Sequence, residues 1–64
     1  MNAAERHKAK VEIRNLELEC RYYEAYVLAN ESAAKCWKMC DNYNHAIFEK
    51  LADRIFIRMV SAQE

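Results

Sequence analysis

The residues whose types could perform chemistry lie close together in CWKMCDNYNH, residues 36–45. Cys36 and Cys40 are four residues apart and His45 follows them, so the three side chains could supply zinc ligands. A structural zinc site needs four ligands, and the chain has no second closely spaced pair of Cys or His. We therefore predict no metal site and no cofactor. A zinc-stapled structural module built on Cys36, Cys40 and His45 is kept as an alternative.

The same stretch also contains the residue types of a cysteine nucleophile, since Cys40 is followed by Asp41 and His45. These residues crowd into the end of a helix, where capping by Asp41 explains the spacing more simply. The chain has no Gly-rich phosphate loop, no nucleophile elbow and no HExxH pattern. We predict no catalytic residues and no enzymatic activity, and we infer no small-molecule substrate.

Helices must position these residues, because the 64-residue chain contains no glycine and no proline. Both residues normally mark turns and strand ends, whereas Ala, Glu, Lys, Arg and Leu favour helix. We predict an all-α protein with a single domain over residues 1–64. Three cysteines cannot all pair, and the polar start MNAAERHKAK has no apolar run of signal or membrane length. A cytoplasmic protein without membrane contact is expected.

Two apolar stripes run along the first helical segment, on roughly opposite sides. One stripe passes through Ala9, Ile13, Leu16, Cys20, Tyr23, Val27 and Ala34, and the other through Ala4, Val11, Leu18, Tyr22, Ala25, Ala29, Cys36 and Cys40. The poorest helix-forming tetrad is DNYN, residues 41–44. We predict a long helix over about residues 3–40, a turn over 41–44 and a second helix over about 44–62. A break at residues 30–32 is the competing interpretation.

The second helix has a broad apolar arc that includes Phe48, Leu51 and Ile55, as expected of a helix that faces a core. Phe56, Ile57 and Val60 point elsewhere, so a simple antiparallel hairpin would leave these large side chains in water. Such a surplus of apolar surface indicates a contact surface. We predict that the hairpin forms a homodimer, as a helical bundle or coiled coil.

A basic ridge runs along the second helix, because Lys50, Arg54 and Arg58 recur every four residues. Pairing within the molecule or the dimer is the first expectation, and an acidic protein partner is the second. Ten basic and ten acidic residues give no net charge, so nucleic-acid binding is not favoured. It is kept as an alternative function.

Aromatic residues are frequent, and Tyr26 and Trp37 fall outside the two apolar stripes. Tyr and Trp are common anchors of protein interfaces. We predict a non-enzymatic protein that binds another protein, as an inhibitor, adaptor or chaperone-like regulator. Its predicted contact residues are Tyr26, Trp37, Phe56, Ile57 and Val60, with Lys50, Arg54 and Arg58 adding orientation.

Overall fold

Three helices form the molecule in the computed structural model, which describes residues 1–62. They are α1 (Ala3–Leu18), α2 (Tyr22–Lys38) and α3 (Asn42–Ala62). The predicted all-α class is confirmed, and the described part of the chain has no strand. The predicted two-helix hairpin is wrong, because the first segment is two helices and not one.

The corner between α1 and α2, which the sequence did not predict, lies at residues 19–21. A residue other than glycine takes the left-handed backbone conformation there. Cys20 has φ = 60°. Its N–H donates to the carbonyl of Glu17 (2.9 Å), and the N–H of Arg21 donates to the carbonyl of Leu16 (2.8 Å). This pair of hydrogen bonds is the Schellman motif, which ends a helix and usually has glycine at the left-handed position. The chain therefore reverses at a point that no glycine or proline marks.

The second corner repeats this geometry twenty residues later, with Cys40 at φ = 58°. The N–H of Cys40 donates to the Trp37 carbonyl (3.0 Å) and the N–H of Asp41 donates to the Cys36 carbonyl (2.9 Å). The predicted turn at 41–44 is close but displaced, since residues 42–44 already belong to α3. The competing break at 30–32 is wrong, because these residues lie within α2 and Ser32 is buried.

Helix starts are capped by side chains where the sequence offers them. At α1 the Glu5 N–H donates to Asn2 Oδ1 (2.8 Å), and the Glu5 side chain accepts from the Asn2 N–H, which together form a capping box. At α3 the Asn44 N–H donates to Asp41 Oδ1 (3.2 Å). These bonds satisfy amide groups that have no partner within the first turn.

The core forms where α2 packs against both of the other helices. The largest fully buried side chains are Ile13 of α1, Cys36 of α2, and Phe48 and Ile55 of α3. The buried face of α2 consists of small residues: Ala25, Ala29, Ser32, Ala33 and Cys36. Small side chains let the neighbouring helix backbones approach closely, and the larger residues of α1 and α3 fill the space between them.

The corner at Cys20 also explains the two apolar stripes. In α1 the buried residues Ala9 and Ile13 belong to the first stripe, whereas Val11 and Leu18 of the second stripe are exposed. In α2 the buried residues Ala25 and Ala29 belong to the second stripe. Each stripe is thus a core face over only part of its length. None of the helices in residues 1–62 combines the length and the apolar character needed to cross a bilayer.

Candidate binding groove between α1 and α3

A groove of about 870 Å³ runs between α1 and α3. The two helices run in the same direction, because Lys10 of α1 lies against Phe48 of α3, and Glu17, farther along α1, contacts Arg54 and Arg58, farther along α3. α1 contributes Lys10, Ile13, Arg14, Glu17 and Leu18 to the groove. α3 contributes Ile47, Lys50, Leu51, Arg54 and Arg58. The predicted basic ridge of α3 is therefore one wall of a concave surface.

The side chains that line this groove carry a large excess of positive charge. Its five cations come from both helices, and Glu17 is the acidic residue that faces them. The lining thus has a net charge of +4, although the whole chain has none. The acidic side chains of the described residues otherwise lie outside the groove. A positive cleft with apolar walls concentrates anionic groups from solution.

Glu17 joins the two walls through Arg54 and Arg58. Its Oε1 lies 3.3 Å from Arg54 Nη2, and its Oε2 lies 3.2 Å from Arg58 Nη1. The Glu17 side chain is only 8% exposed, whereas the Arg54 and Arg58 side chains are 56% and 54% exposed. Each guanidinium therefore has donors left that can reach a second acceptor from solvent. Because the arginines are so exposed, each pair contributes at most about 1 kcal/mol to stability.

The apolar part of the groove comes from residues of both helices. Ile13 is buried at its base, and Ile47 and Leu51 are half-buried along α3. Leu18 lies at the end of α1 and is 73% exposed. Lys10 Nζ lies 5.8 Å from the centroid of the Phe48 ring, a cation–π contact between α1 and α3. The groove thus offers apolar contact between two charged walls.

The predicted aromatic contacts lie on another surface. Tyr26 of α2 and Phe56 of α3 contact each other with ring centroids 5.7 Å apart. Phe56 remains 46% exposed, and Ile57 and Val60 are also exposed on α3. None of these four residues lines the groove. The structure therefore divides the predicted contact residues into a basic groove and a separate apolar patch, which we define as Tyr26, Phe56, Ile57 and Val60.

Trp37 lies apart from both surfaces, near the corner between α2 and α3. It is 62% exposed, and its ring centroid is 5.0 Å from that of His45. His45 Nδ1 lies 2.8 Å from the Ala33 carbonyl oxygen, and its Nε2 lies 3.0 Å from Glu49 Oε1. The histidine thus links α3 to α2 through Nδ1, whereas the contact of its Nε2 with Glu49 lies within α3.

The cysteines are divided between the core and the corners. Cys36 is buried, whereas Cys20 and Cys40 are exposed, and all three are free thiols. Within residues 1–62 no three side chains of His, Cys, Asp or Glu come together as a metal-binding group would require. The order CWKMCDNYNH is explained locally by a core thiol, a Schellman corner and a capped helix start.

Charged groups also surround the first corner. Arg21 forms ion pairs with Glu24 and Glu19, and the hydrogen bonds to Glu24 first and then to Glu19 raise the pKa of the guanidinium. The Tyr22 hydroxyl donates to Cys20 Sγ (3.8 Å), and this bond raises the pKa of Tyr22. These contacts lie at the α1–α2 corner, at the end of the groove where Leu18 lies.

Sequence reasoning placed only the basic ridge of α3 at a contact surface, and it missed the charged residues that α1 contributes to the groove: Lys10, Arg14 and Glu17. Lys10 and Arg14 have the same four-residue spacing as the ridge of α3, which was the available signal. Because the sequence did not predict the corner at Cys20, α1 was not expected to lie beside α3. Comparisons with protein-family models, with curated proteins and with solved structures found no match to this chain.

Proposed function

We propose that this protein works without catalysis, by binding an acidic segment of another protein in the groove between α1 and α3. The observation that carries this proposal is the meeting of five cations from two helices around an apolar base. Charge complementarity of this kind favours encounter with an anionic partner and selects against a cationic one. An inhibitor, adaptor or chaperone-like protein would act by holding or covering such a segment.

A protein segment fits the groove better than a nucleic acid does. Phosphate binding is driven by a broad positive surface, and this chain has as many acidic as basic residues. The groove also presents Ile47, Leu51 and Leu18, which would remain uncovered by a sugar-phosphate backbone. An acidic peptide with apolar side chains would use both features.

The proposal is tested with a labelled acidic peptide that contains leucines, and with a single-stranded oligonucleotide of the same charge. Fluorescence anisotropy should show saturable binding of the peptide to the native chain. Arg54→Gln together with Arg58→Gln should weaken it by about tenfold, since two charge-assisted contacts are lost. The matched control is Lys35→Gln with Lys38→Gln, which removes two exposed cations of α2 outside the groove.

Two results would contradict the proposal. If the oligonucleotide binds more tightly than the peptide and the Arg54/Arg58 variant loses it, the groove is a nucleic-acid site. If the variant and the control bind the peptide equally, the attraction is a general property of the surface. Circular dichroism of each variant checks that the helices are intact.

A further inference from the structure

The walls of the groove are two helical stripes of similar length. On α1 the lining spans residues 10–18, and on α3 it spans residues 47–58. At 1.5 Å per residue these spans are about 12 Å and 16 Å, or two to three turns of helix. The cations within each wall are four residues apart, so they repeat about every 6 Å. The groove therefore runs along about two to three turns of each helix.

Both walls carry cations, and apolar residues lie between them. Lys10 and Arg14 form one charged row, and the basic ridge of α3 forms the other. A ligand that matches this lining must present an acidic, an apolar and a second acidic row side by side. A helix can do so, because its surface offers several adjacent rows. An extended strand cannot, since its side chains point alternately to two opposite sides and its unpaired backbone would face the apolar base.

Glu17 indicates which chemical group Arg54 and Arg58 bind. Its carboxylate lies between Arg54 and Arg58 and is nearly buried, so this position of the groove already holds one carboxylate. The Arg54 and Arg58 side chains are each more than half exposed. A carboxylate arriving on a ligand helix would meet the same donors and compete with Glu17 for them.

We infer that the groove binds an amphipathic helix of a partner protein, with carboxylates along both flanks of its apolar stripe. The bound helix lies along α1 and α3 as a fourth helix of the bundle, and one of its carboxylates displaces Glu17 from Arg54 and Arg58. Helix-in-groove recognition and four-helix packing both use such a geometry. The inference rests on the proposed function and specifies the class of partner.

The test uses three synthetic peptides of identical composition and about 14 residues, long enough for four turns. The first has Glu on both flanks of a Leu stripe. The second has the same Glu residues moved to the side opposite the stripe. The third has the order of the first except that one Ala near its centre and a Pro at its N-terminus are exchanged, which breaks the helix. We expect the first to bind at least about tenfold more tightly than either of the others.

One variant of the protein should bind the first peptide more tightly than the native chain does. Glu17→Gln frees Arg54 and Arg58 from their internal carboxylate, so the first peptide should bind it several-fold more tightly than it binds the native chain. Tighter binding cannot result from loss of structure. Unchanged or weaker binding would overturn the displacement of Glu17.

The remaining outcomes separate the inference from the proposed function. If all three peptides bind the native chain equally, the groove accepts acidic segments but the helical partner is wrong. If none binds, both are wrong. If native mass spectrometry gives a dimer that Arg54→Gln with Arg58→Gln converts to a monomer, the groove is occupied by a second copy of this chain, and the inference is overturned.

Discussion

Two carboxylates of this protein, Glu17 and Asp41, accept hydrogen bonds from different kinds of donor. Glu17 contacts two guanidinium groups that remain largely in solvent. Asp41 instead accepts from the Asn44 side chain (2.7 Å) and from the Asn44 N–H (3.2 Å), while Arg6 lies 3.8 Å away. The Asn44 bonds favour the charged form and lower the pKa of Asp41 below its ordinary value of 3.8. One carboxylate thus faces a candidate site, and the other holds a helix start.

Acid should weaken the start of α3 through Asp41. Because the folded state lowers the pKa of this group, its stabilisation is complete above pH 3.8 and is lost as pH falls through the folded value. Asp41→Asn retains a capping oxygen but not the titration, so its melting temperature should fall less steeply in acid. Thermal melts followed by circular dichroism, at pH values from above to below 3.8, measure the difference in melting temperature between the native chain and the variant. Asp53→Asn, an exposed position in the middle of α3, is the control and should follow the native curve. Parallel curves for the native chain and Asp41→Asn would contradict this assignment.

At the scale of the elements, the two corners between helices have the same backbone geometry. Cys20 and Cys40 both occupy the left-handed position of a Schellman motif, with φ = 60° and φ = 58°. A side chain with a Cβ atom is disfavoured there by about 1 kcal/mol or more. The hydrogen bonds of the motif and the packing of α2 against its neighbours outweigh this penalty. The corners are therefore imposed by the fold more than by local preference.

Glycine at either corner should stabilise the protein. Cys20→Gly removes the penalty of the left-handed conformation and should raise the free energy of unfolding by about 1 kcal/mol. In a domain of this size that corresponds to a rise in melting temperature of about 4–8 °C. Cys20→Ala keeps a Cβ atom and should give no such gain, so it is the matched control. Equal melting temperatures for the two variants would show that Cys20 does not hold this conformation in solution.

At the scale of the whole molecule, α3 divides its large apolar residues between the core and the surface. Phe48 is fully buried and contacts Lys10 of α1, whereas Phe56 and Ile57 are 46% and 65% exposed. A domain of this length has a total stability of only several kcal/mol. Substitutions at the two kinds of position should therefore have very different consequences.

Phe48→Ala should largely unfold the protein, because emptying a buried aromatic site costs about 3–5 kcal/mol. Phe56→Ala with Ile57→Ala should leave the helical circular dichroism close to native. The predicted homodimer would use the apolar patch, so this double variant should also shift native mass spectra from dimer to monomer. A native chain that is already a monomer would remove the dimer prediction, and a helical Phe48→Ala chain would contradict the described core.

The sequence by itself determined the helical class, because a chain rich in helix formers and without glycine or proline has few other options. It also determined the core face of α3, where Phe48, Ala52 and Ile55 follow helical periodicity and are buried. DNYN, with its poor helix formers, placed the second corner within a few residues. These features depend on local preference and on spacing along one helix, which a sequence contains directly.

Only the tertiary structure decided the corner at Cys20 and the groove that results from it. No local signal marked that corner, since a cysteine takes the position that glycine usually occupies. Once α1 and α3 lie side by side against α2, Lys10 and Arg14 face the ridge of α3, and Glu17 reaches Arg54 and Arg58. A chain with no net charge thereby acquires a strongly positive groove. The physical reason is that electrostatic character depends on distances between residues far apart in sequence, and packing alone sets those distances.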